Sequence, residues 1–157
     1  MRKLEVYYLA NKSENIYFAL LGDCTSSKNE NEIFDNEIIK AGLEETDKLN
    51  KKYNKNFDVE YPKFNFLYRK RTWNPSEKCY LGWERKRGLL IQFNEFLLKP
   101  ETNEFRFNSL IEKRIPKIKY IITLDADTNL VLNSGLELIG AASHIFGSIR
   151  NDDKCDF

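Results

Sequence analysis

The sequence predicts an α/β domain with a mostly parallel sheet, and three observations predict it. Short apolar runs typical of strands alternate along the chain with longer segments whose apolar residues recur at helical spacing. No internal repeat is visible, so the alternation indicates a single set of strand–helix units. The length of 157 residues suits one domain with a core of its own and is short for two.

Three apolar runs are predicted to be strands. They are residues 16–21, 64–68 and 118–124, and the third has the composition most typical of a buried strand. The first and third runs are closely followed by Asp23 and Asp125. In parallel sheets the ligand crevice lies beyond the carboxyl ends of the strands. We therefore expect both carboxylates at the ligand edge of one sheet.

Three segments are predicted to be amphipathic helices, at residues 35–53, 84–98 and 136–145. Residues 4–8 fit a short helix, although their composition also suits a strand, and this choice stays open. Residues 100–108 are polar and are predicted to form a loop.

The amino-acid composition excludes some classes of function and favours one cellular setting. The 25 Lys and Arg against 24 Asp and Glu leave a net charge of +1, which gives no bulk attraction to nucleic acid. Cys24, Cys79 and Cys155 are far apart and form no zinc-type pair, which favours a reducing, cytoplasmic setting. We expect one domain over residues 1–150, followed by a polar tail over residues 151–157.

The acidic triplet Asp125-Ala126-Asp127 is a candidate metal site. Residues i and i+2 of an extended segment point to the same side, and paired carboxylates suit Mg²⁺ or Mn²⁺. The plain alternative is a solvated turn, since such triplets are common. A phosphatase-type aspartate pair is a weaker alternative, because the fifth position of that motif is Asn129 here.

Several segments, in order, resemble the glycosyltransferase domain of cyclic β-1,2-glucan synthases. The most specific is Trp-Glu-Arg-Lys-Arg-Gly at residues 83–88, a composition with no generic structural explanation. The matching segments are residues 4–11, 18–23, 73–75, 82–88 with Asn94, and 120–128 with Gly140 and residues 142–144.

This resemblance implies a Rossmann-like fold of the GT-A kind, present here as a nucleotide-sugar-binding half-domain truncated at both ends. It implies an inverting transferase that moves glucose from UDP-glucose to a growing β-1,2-linked glucan with Mg²⁺ or Mn²⁺. It also implies a large membrane-embedded parent protein whose transferase domain lies at the cytosolic face of the inner membrane.

The resemblance also implies site residues. Asp125 and Asp127 would bind the metal, Asp125 would also bind the donor phosphate, and Asp23 would contact the uridine. The other candidate donor-binding residues lie at the basic start of the second predicted helix and are Arg85, Lys86, Arg87 and Gly88.

Cations at a helix N-terminus are unfavourable unless an anion lies nearby, and a diphosphate would satisfy them. Gly88 would permit a close backbone approach. The alternative is a solvated basic helix end. Trp73 and Trp83 could be core anchors instead of site residues. His144 is expected to be a structural or surface residue.

By the same resemblance, a strand and helix of the fold would precede residues 4–11, and the general base would lie outside this chain. We therefore expect the fragment to be inactive in catalysis. Residues 2–10 could replace the absent strand, or two chains could pair through an exposed sheet edge. The alternative function is a non-catalytic α/β interaction or scaffold module.

Overall fold

A small mixed sheet with helices on both faces organises the chain. The computed structural model describes residues 1–53, 61–110 and 117–144. The predicted tail at 151–157 lies outside the described residues. The helices are α1 (Arg2–Ala10), α2 (Ile33–Tyr53), α3 (Arg85–Leu98) and α4 (Ser134–Ser143), with a 3₁₀ turn at Pro100–Thr102, and the strands are β1 (Phe18–Gly22), β2 (Phe64–Arg69), β3 (Thr72–Asn74), β4 (Cys79–Leu81) and β5 (Phe105–Asn108).

The larger sheet has the strand order β1-β2-β5. Strand β1 pairs with β2 in parallel, with Phe18 opposite Phe64, whereas β5 pairs antiparallel with β2. The sheet is therefore mixed, and the expectation of a mostly parallel sheet is wrong. The error arises at residues 100–108, where a loop was predicted but β5 forms. Strand β5 is short, so its two phenylalanines give little periodic signal.

The predicted strand at residues 118–124 is not formed. These residues have no regular secondary structure, and Ile118, Ile121 and Ile122 are partly exposed, with Ile121 44% accessible. A β-prone run becomes a strand only when a neighbouring edge satisfies its backbone groups. A cavity of about 500 Å³ opens here between β1 and residues 118–125.

The observed helices agree with the sequence-based prediction more closely than the strands do. The predicted helices at 35–53, 84–98 and 136–145 are observed as α2, α3 and α4, with small differences at the ends. Arg2–Ala10 is helical, so the suggestion that it replaces a sheet strand is wrong. No described helix is long and apolar enough to span a membrane.

Strand β2 is buried along its whole length, and its alternating side chains serve two cores. On one face Leu67 packs with Leu89, Phe93 and Phe96 of α3. On the other face Phe64 packs against α1 and α2, and Phe66 lies under α2.

A buried ion network ties α2 to β2 and β5. Asp35 is fully buried, and its carboxylate accepts hydrogen bonds from the Tyr68 hydroxyl at 2.7 Å and the Arg106 guanidinium at 2.9 Å. Arg71 and the backbone N–H of Glu32, at 3.0 Å, donate as well. Burial alone would raise the pKa of Asp35, but hydrogen bonds from Arg71, Glu32 and Tyr68 lower that pKa to about 2.

Candidate functional site

The acidic triplet lies in a turn. The N–H of Thr128 donates to the carbonyl of Asp125 at 3.1 Å, which closes the backbone around Ala126 and Asp127. The side-chain alternation of an extended strand therefore does not apply to the two aspartates. Both are exposed, and the side chain of Asp125 is 56% accessible. The turn can present two hard oxygen ligands to solvent.

The basic start of α3 meets this turn through one residue. The ammonium group of Lys86 forms an ion pair with the carboxylate of Asp125. Arg85 instead lies 3.8 Å from Glu77, and Arg87 lies 3.6 Å from Glu84. Both of these pairs are exposed, and such pairs stabilise a protein little. The structure thus brings Lys86 to the acidic turn, and the donor roles of Arg85 and Arg87 remain predictions.

Arg69 braces the turn that leads into α3. Its guanidinium is fully buried and donates to the Arg85 carbonyl at 2.8 Å and to the Trp83 carbonyl. It also donates to Gln92 at 2.8 Å and lies 3.4 Å from the Asp23 carboxylate. Asp23, at the end of β1, is therefore linked through Arg69 to the turn that carries the basic residues. One buried cation connects two of the predicted site segments.

The amino-acid sequence alone does not predict this role of Arg69. The backbone acceptors of Arg69 lie in another segment, and side-chain composition does not reveal them. One usable signal exists: an arginine that ends a strand as apolar as β2 requires partners for its charge.

Two glycines allow the close packing of this region. A Cβ on Gly88 would lie 1.9 Å from the Trp83 carbonyl oxygen, and a Cβ on Gly82 would lie 2.5 Å from the Arg69 guanidinium. Between them, Glu84 has a φ of 53° and Arg85 a φ of 50°, which non-glycine residues rarely adopt. The structural reason for Gly88 is therefore the Trp83 carbonyl, and its contact with a donor remains a prediction.

The acidic turn stands at the margin of the cavity between β1 and residues 118–125. Apolar side chains of β1 and α3, such as Leu21 and Phe93, line its body, and Lys86 and Asp125 also line it. The cavity thus combines an apolar wall with one ion pair. This is the usual composition of a small-molecule site.

Three further expectations concern aromatic and histidine residues. Trp73 and Trp83 are 51% and 48% accessible, so the suggestion that they are core anchors is wrong. Trp73 packs edge-on against Tyr80 of the β3–β4 hairpin, with ring centroids 5.2 Å apart. His144 is exposed at the end of α4, as expected of a surface residue.

Among the described residues, the acidic turn offers two exposed carboxylates as candidate ligands of a metal ion. Within the parts of the chain that the structure describes, no group of three or more His, Cys, Asp or Glu side chains is arranged to hold a metal ion. Two carboxylates are hard ligands of the kind that Mg²⁺ and Mn²⁺ accept alongside waters and phosphate oxygens.

Fold and site together define a mixed α/β domain in which an acidic turn meets a basic helix start. No protein-family model matches the chain. The chain is 35% identical, over 145 residues and 92% of its length, to part of the cyclic beta-(1,2)-glucan synthase NdvB of Rhizobium meliloti (strain 1021). The match spans 5% of that much longer protein. The chain is therefore similar to one short part of a glucan synthase.

Proposed function

We propose that this chain is the donor-binding part of a glycosyltransferase of the GT-A kind. It binds UDP-glucose with a divalent cation, within a larger protein that transfers glucose with inversion to a growing β-1,2-glucan. The observation that carries the proposal is the ion pair between Lys86 and Asp125. A site for a cation and a diphosphate needs carboxylates for the cation and a basic group for the phosphate, and this pair places one of each side by side.

The residues of the acidic turn fit a divalent cation. Asp125 and Asp127 supply exposed carboxylate oxygens, which Mg²⁺ or Mn²⁺ accepts while it retains waters or phosphate oxygens as other ligands. When bound, the cation would neutralise the negative charge that develops on the leaving nucleotide diphosphate. Lys86 holds Asp125 in the absence of the cation, and it would turn to the diphosphate when the cation is bound.

The chain's own residues have separate roles in this proposal. Asp23 contacts the uridine, and Arg69 fixes Asp23 relative to the basic turn. Arg85, Lys86 and Arg87 bind the diphosphate at the start of α3, where the helix dipole also favours an anion. The apolar wall of the neighbouring cavity excludes water from one side of the donor.

The acceptor and its general base belong to the larger protein in this proposal, and we assign no catalytic residue to the chain. That protein would be embedded in the inner membrane, with the transferase domain in the cytoplasm. Two chains could also pair through the exposed edge of β1, where residues 118–124 do not form a strand.

Calorimetry with UDP-glucose tests the proposal. We expect the chain to bind UDP-glucose in the presence of Mn²⁺ and to lose at least about tenfold in affinity when EDTA removes the metal. Asp127→Ala should have the same effect as EDTA. Glu137→Ala, which removes an exposed carboxylate from the first turn of α4, is the matched control and should leave binding unchanged.

Binding that is indifferent to Mn²⁺ and to Asp127→Ala would contradict the proposal. In that case the second function class, a non-catalytic interaction module, would account better for the chain. Glucose transfer by the isolated chain, above the level of an Asp125→Ala and Asp127→Ala double variant, would contradict the assignment of the general base to the larger protein.

A further inference from the structure

Helix α1 lies against the loop that contains the acidic triplet, residues 125–133, which we call the acidic loop. Lys3 and Tyr7 are four residues apart on α1, and Asn11 follows four residues later, so the three side chains form one stripe. The Lys3 ammonium donates to the Ala126 carbonyl at 2.5 Å. The Tyr7 hydroxyl donates to the Thr128 carbonyl. One stripe of the helix thus holds the backbone on both sides of Asp127.

Asn11 joins the end of α1 to the start of α4. It is fully buried, and its amide nitrogen donates to the carbonyls of Tyr7 and Val131, each at 3.3 Å. Its amide oxygen accepts from the N–H of Gly135 at 2.8 Å. In addition, the N–H of Asn133 donates to the Ala10 carbonyl at 2.8 Å. The far end of the acidic loop is therefore hydrogen-bonded to α1 and its C-cap residue, as its beginning is to α1.

The acidic loop contributes little to its own rigidity. Its internal backbone bonds, such as Thr128 to Asp125 at 3.1 Å and Ser134 to Val131 at 3.3 Å, close only local turns. Helix α1 is in turn tied to α2, because Glu5 accepts hydrogen bonds from Lys52 at 2.8 Å and Tyr53 at 2.6 Å. Helix α1 therefore supplies long-range hydrogen bonds to the acidic loop, in addition to the contact that Lys86 of α3 makes with Asp125.

We propose that α1 positions the acidic loop, with Tyr7 and Asn11 as positioning residues. They hold the backbone so that Asp125 meets Lys86 and Asp127 stands beside it. The consequence for metal binding rests on the proposed function, because it requires that the two aspartates bind the cation. The consequence for the order of the loop is independent of the proposed function, because it concerns the acidic loop alone.

The variant Tyr7→Phe tests this inference. It removes the hydroxyl and keeps the ring, which is 7% accessible and packs with Phe18 and Phe64. Tyr8→Phe is the matched control, because Tyr8 lies on the same helix and its ring also packs against Phe18 and Phe64. The two measurements are amide hydrogen exchange along the chain and the affinity for Mn²⁺. The variant Asp127→Ala gives the reference affinity of a chain whose proposed metal site has been removed.

Tyr7→Phe should speed amide exchange within residues 126–135 by about 2- to 10-fold, the range that one net hydrogen bond corresponds to, and leave α2 and α3 unchanged. Mn²⁺ affinity should fall by a similar factor. Tyr8→Phe should alter neither quantity. Asn11→Ala, which loses bonds at both helices, should have the larger effect on exchange at Gly135.

Two results would overturn the inference. In the first, Tyr7→Phe and Tyr8→Phe behave alike in the acidic loop. In the second, Tyr7→Phe speeds exchange uniformly over the chain, which would make Tyr7 a general stabilising residue instead of a positioning residue. If the unmodified chain binds no Mn²⁺, the proposed function fails, while loop exchange still decides whether α1 positions the loop.

Discussion

Lys86 reaches from the first turn of α3 to the carboxylate of Asp125, in the turn that follows residues 118–124. Both side chains are more than half exposed, so the ion pair contributes little to folding. The ion pair is informative because of the two segments that it joins. The pair brings a cationic group and an acidic turn from distant parts of the sequence into contact.

Replacing Lys86 separates its two roles in the proposed site. Lys86→Ala should raise the affinity for Mn²⁺ alone by up to about fivefold, because the competing ammonium is removed. The same change should lower the affinity for UDP-glucose in Mn²⁺ by about tenfold, because a charged hydrogen bond to phosphate is lost. Calorimetric titration measures both affinities.

Arg87→Ala is the control for the measurement with Mn²⁺ alone, since Arg87 pairs with Glu84 at 3.6 Å and not with the acidic turn. Its effect on Mn²⁺ affinity should be negligible. Equal effects of Lys86→Ala and Arg87→Ala on Mn²⁺ affinity would show that the contact with Asp125 has no part in cation binding.

Removing the guanidinium of Arg69 should disorder the turn before α3. Arg69→Met leaves the carbonyls of Trp83 and Arg85 without their donor, which should cost on the order of 3 kcal/mol in the free energy of unfolding. Arg69→Lys should restore little, because one ammonium cannot span these acceptors and Asp23. Urea unfolding measures the loss, and the exposed neighbour Lys70→Met should change stability by less than about 0.5 kcal/mol.

Glycine is required at position 88 and not at position 140. Gly88→Ala places a methyl group 1.9 Å from the Trp83 carbonyl oxygen, so the backbone must move, at an expected loss of at least about 2 kcal/mol in unfolding free energy. A Cβ on Gly140, in α4, would meet nothing within 4 Å, and Gly140→Ala should stabilise by about 0.5–1 kcal/mol. Losses of equal size in urea unfolding would contradict the close packing described at Gly88.

Acid should weaken the fold through Asp35. Its pKa is about 2 in the folded chain against an ordinary value of 3.8, so the folded state favours the ionised form. The stability from this carboxylate is present above about pH 4 and is lost as the pH falls through about 2, with a total of about 2 kcal/mol. Unfolding free energies measured between pH 5 and pH 2 should fall less steeply for Asp35→Asn than for the exposed control Asp47→Asn.

The sequence predicts helices here better than it predicts the sheet. Helix α3 carries its own signal, because Leu89, Phe93 and Phe96 recur at helical spacing and are all buried. A strand depends on its neighbours, and residues 118–124 show the consequence: an apolar, β-prone run stays irregular beside the open edge of β1.

The candidate site likewise contains some residues that the sequence predicts and others that it does not. The acidic triplet and the basic helix start stand out as local runs of charge, and the Lys86–Asp125 pair joins them. The sequence does not predict the roles of Arg69, Tyr7 and Asn11, because these side chains donate hydrogen bonds to backbone carbonyls of distant segments. Backbone acceptors exist at every residue, so the sequence does not indicate which of them a side chain will reach.

Paramagnetic broadening by Mn²⁺ tests the central claim, that the Asp125–Asp127 turn and Lys86 form one cation-dependent site. In a nuclear magnetic resonance titration of the chain, substoichiometric Mn²⁺ should first broaden the amide signals of residues 125–128 and of Lys86. Signals of Gly42 and Leu98, outside the proposed site, should persist, and Asp127→Ala should abolish the selectivity. Broadening that begins elsewhere, or that Asp127→Ala leaves unchanged, would contradict the account.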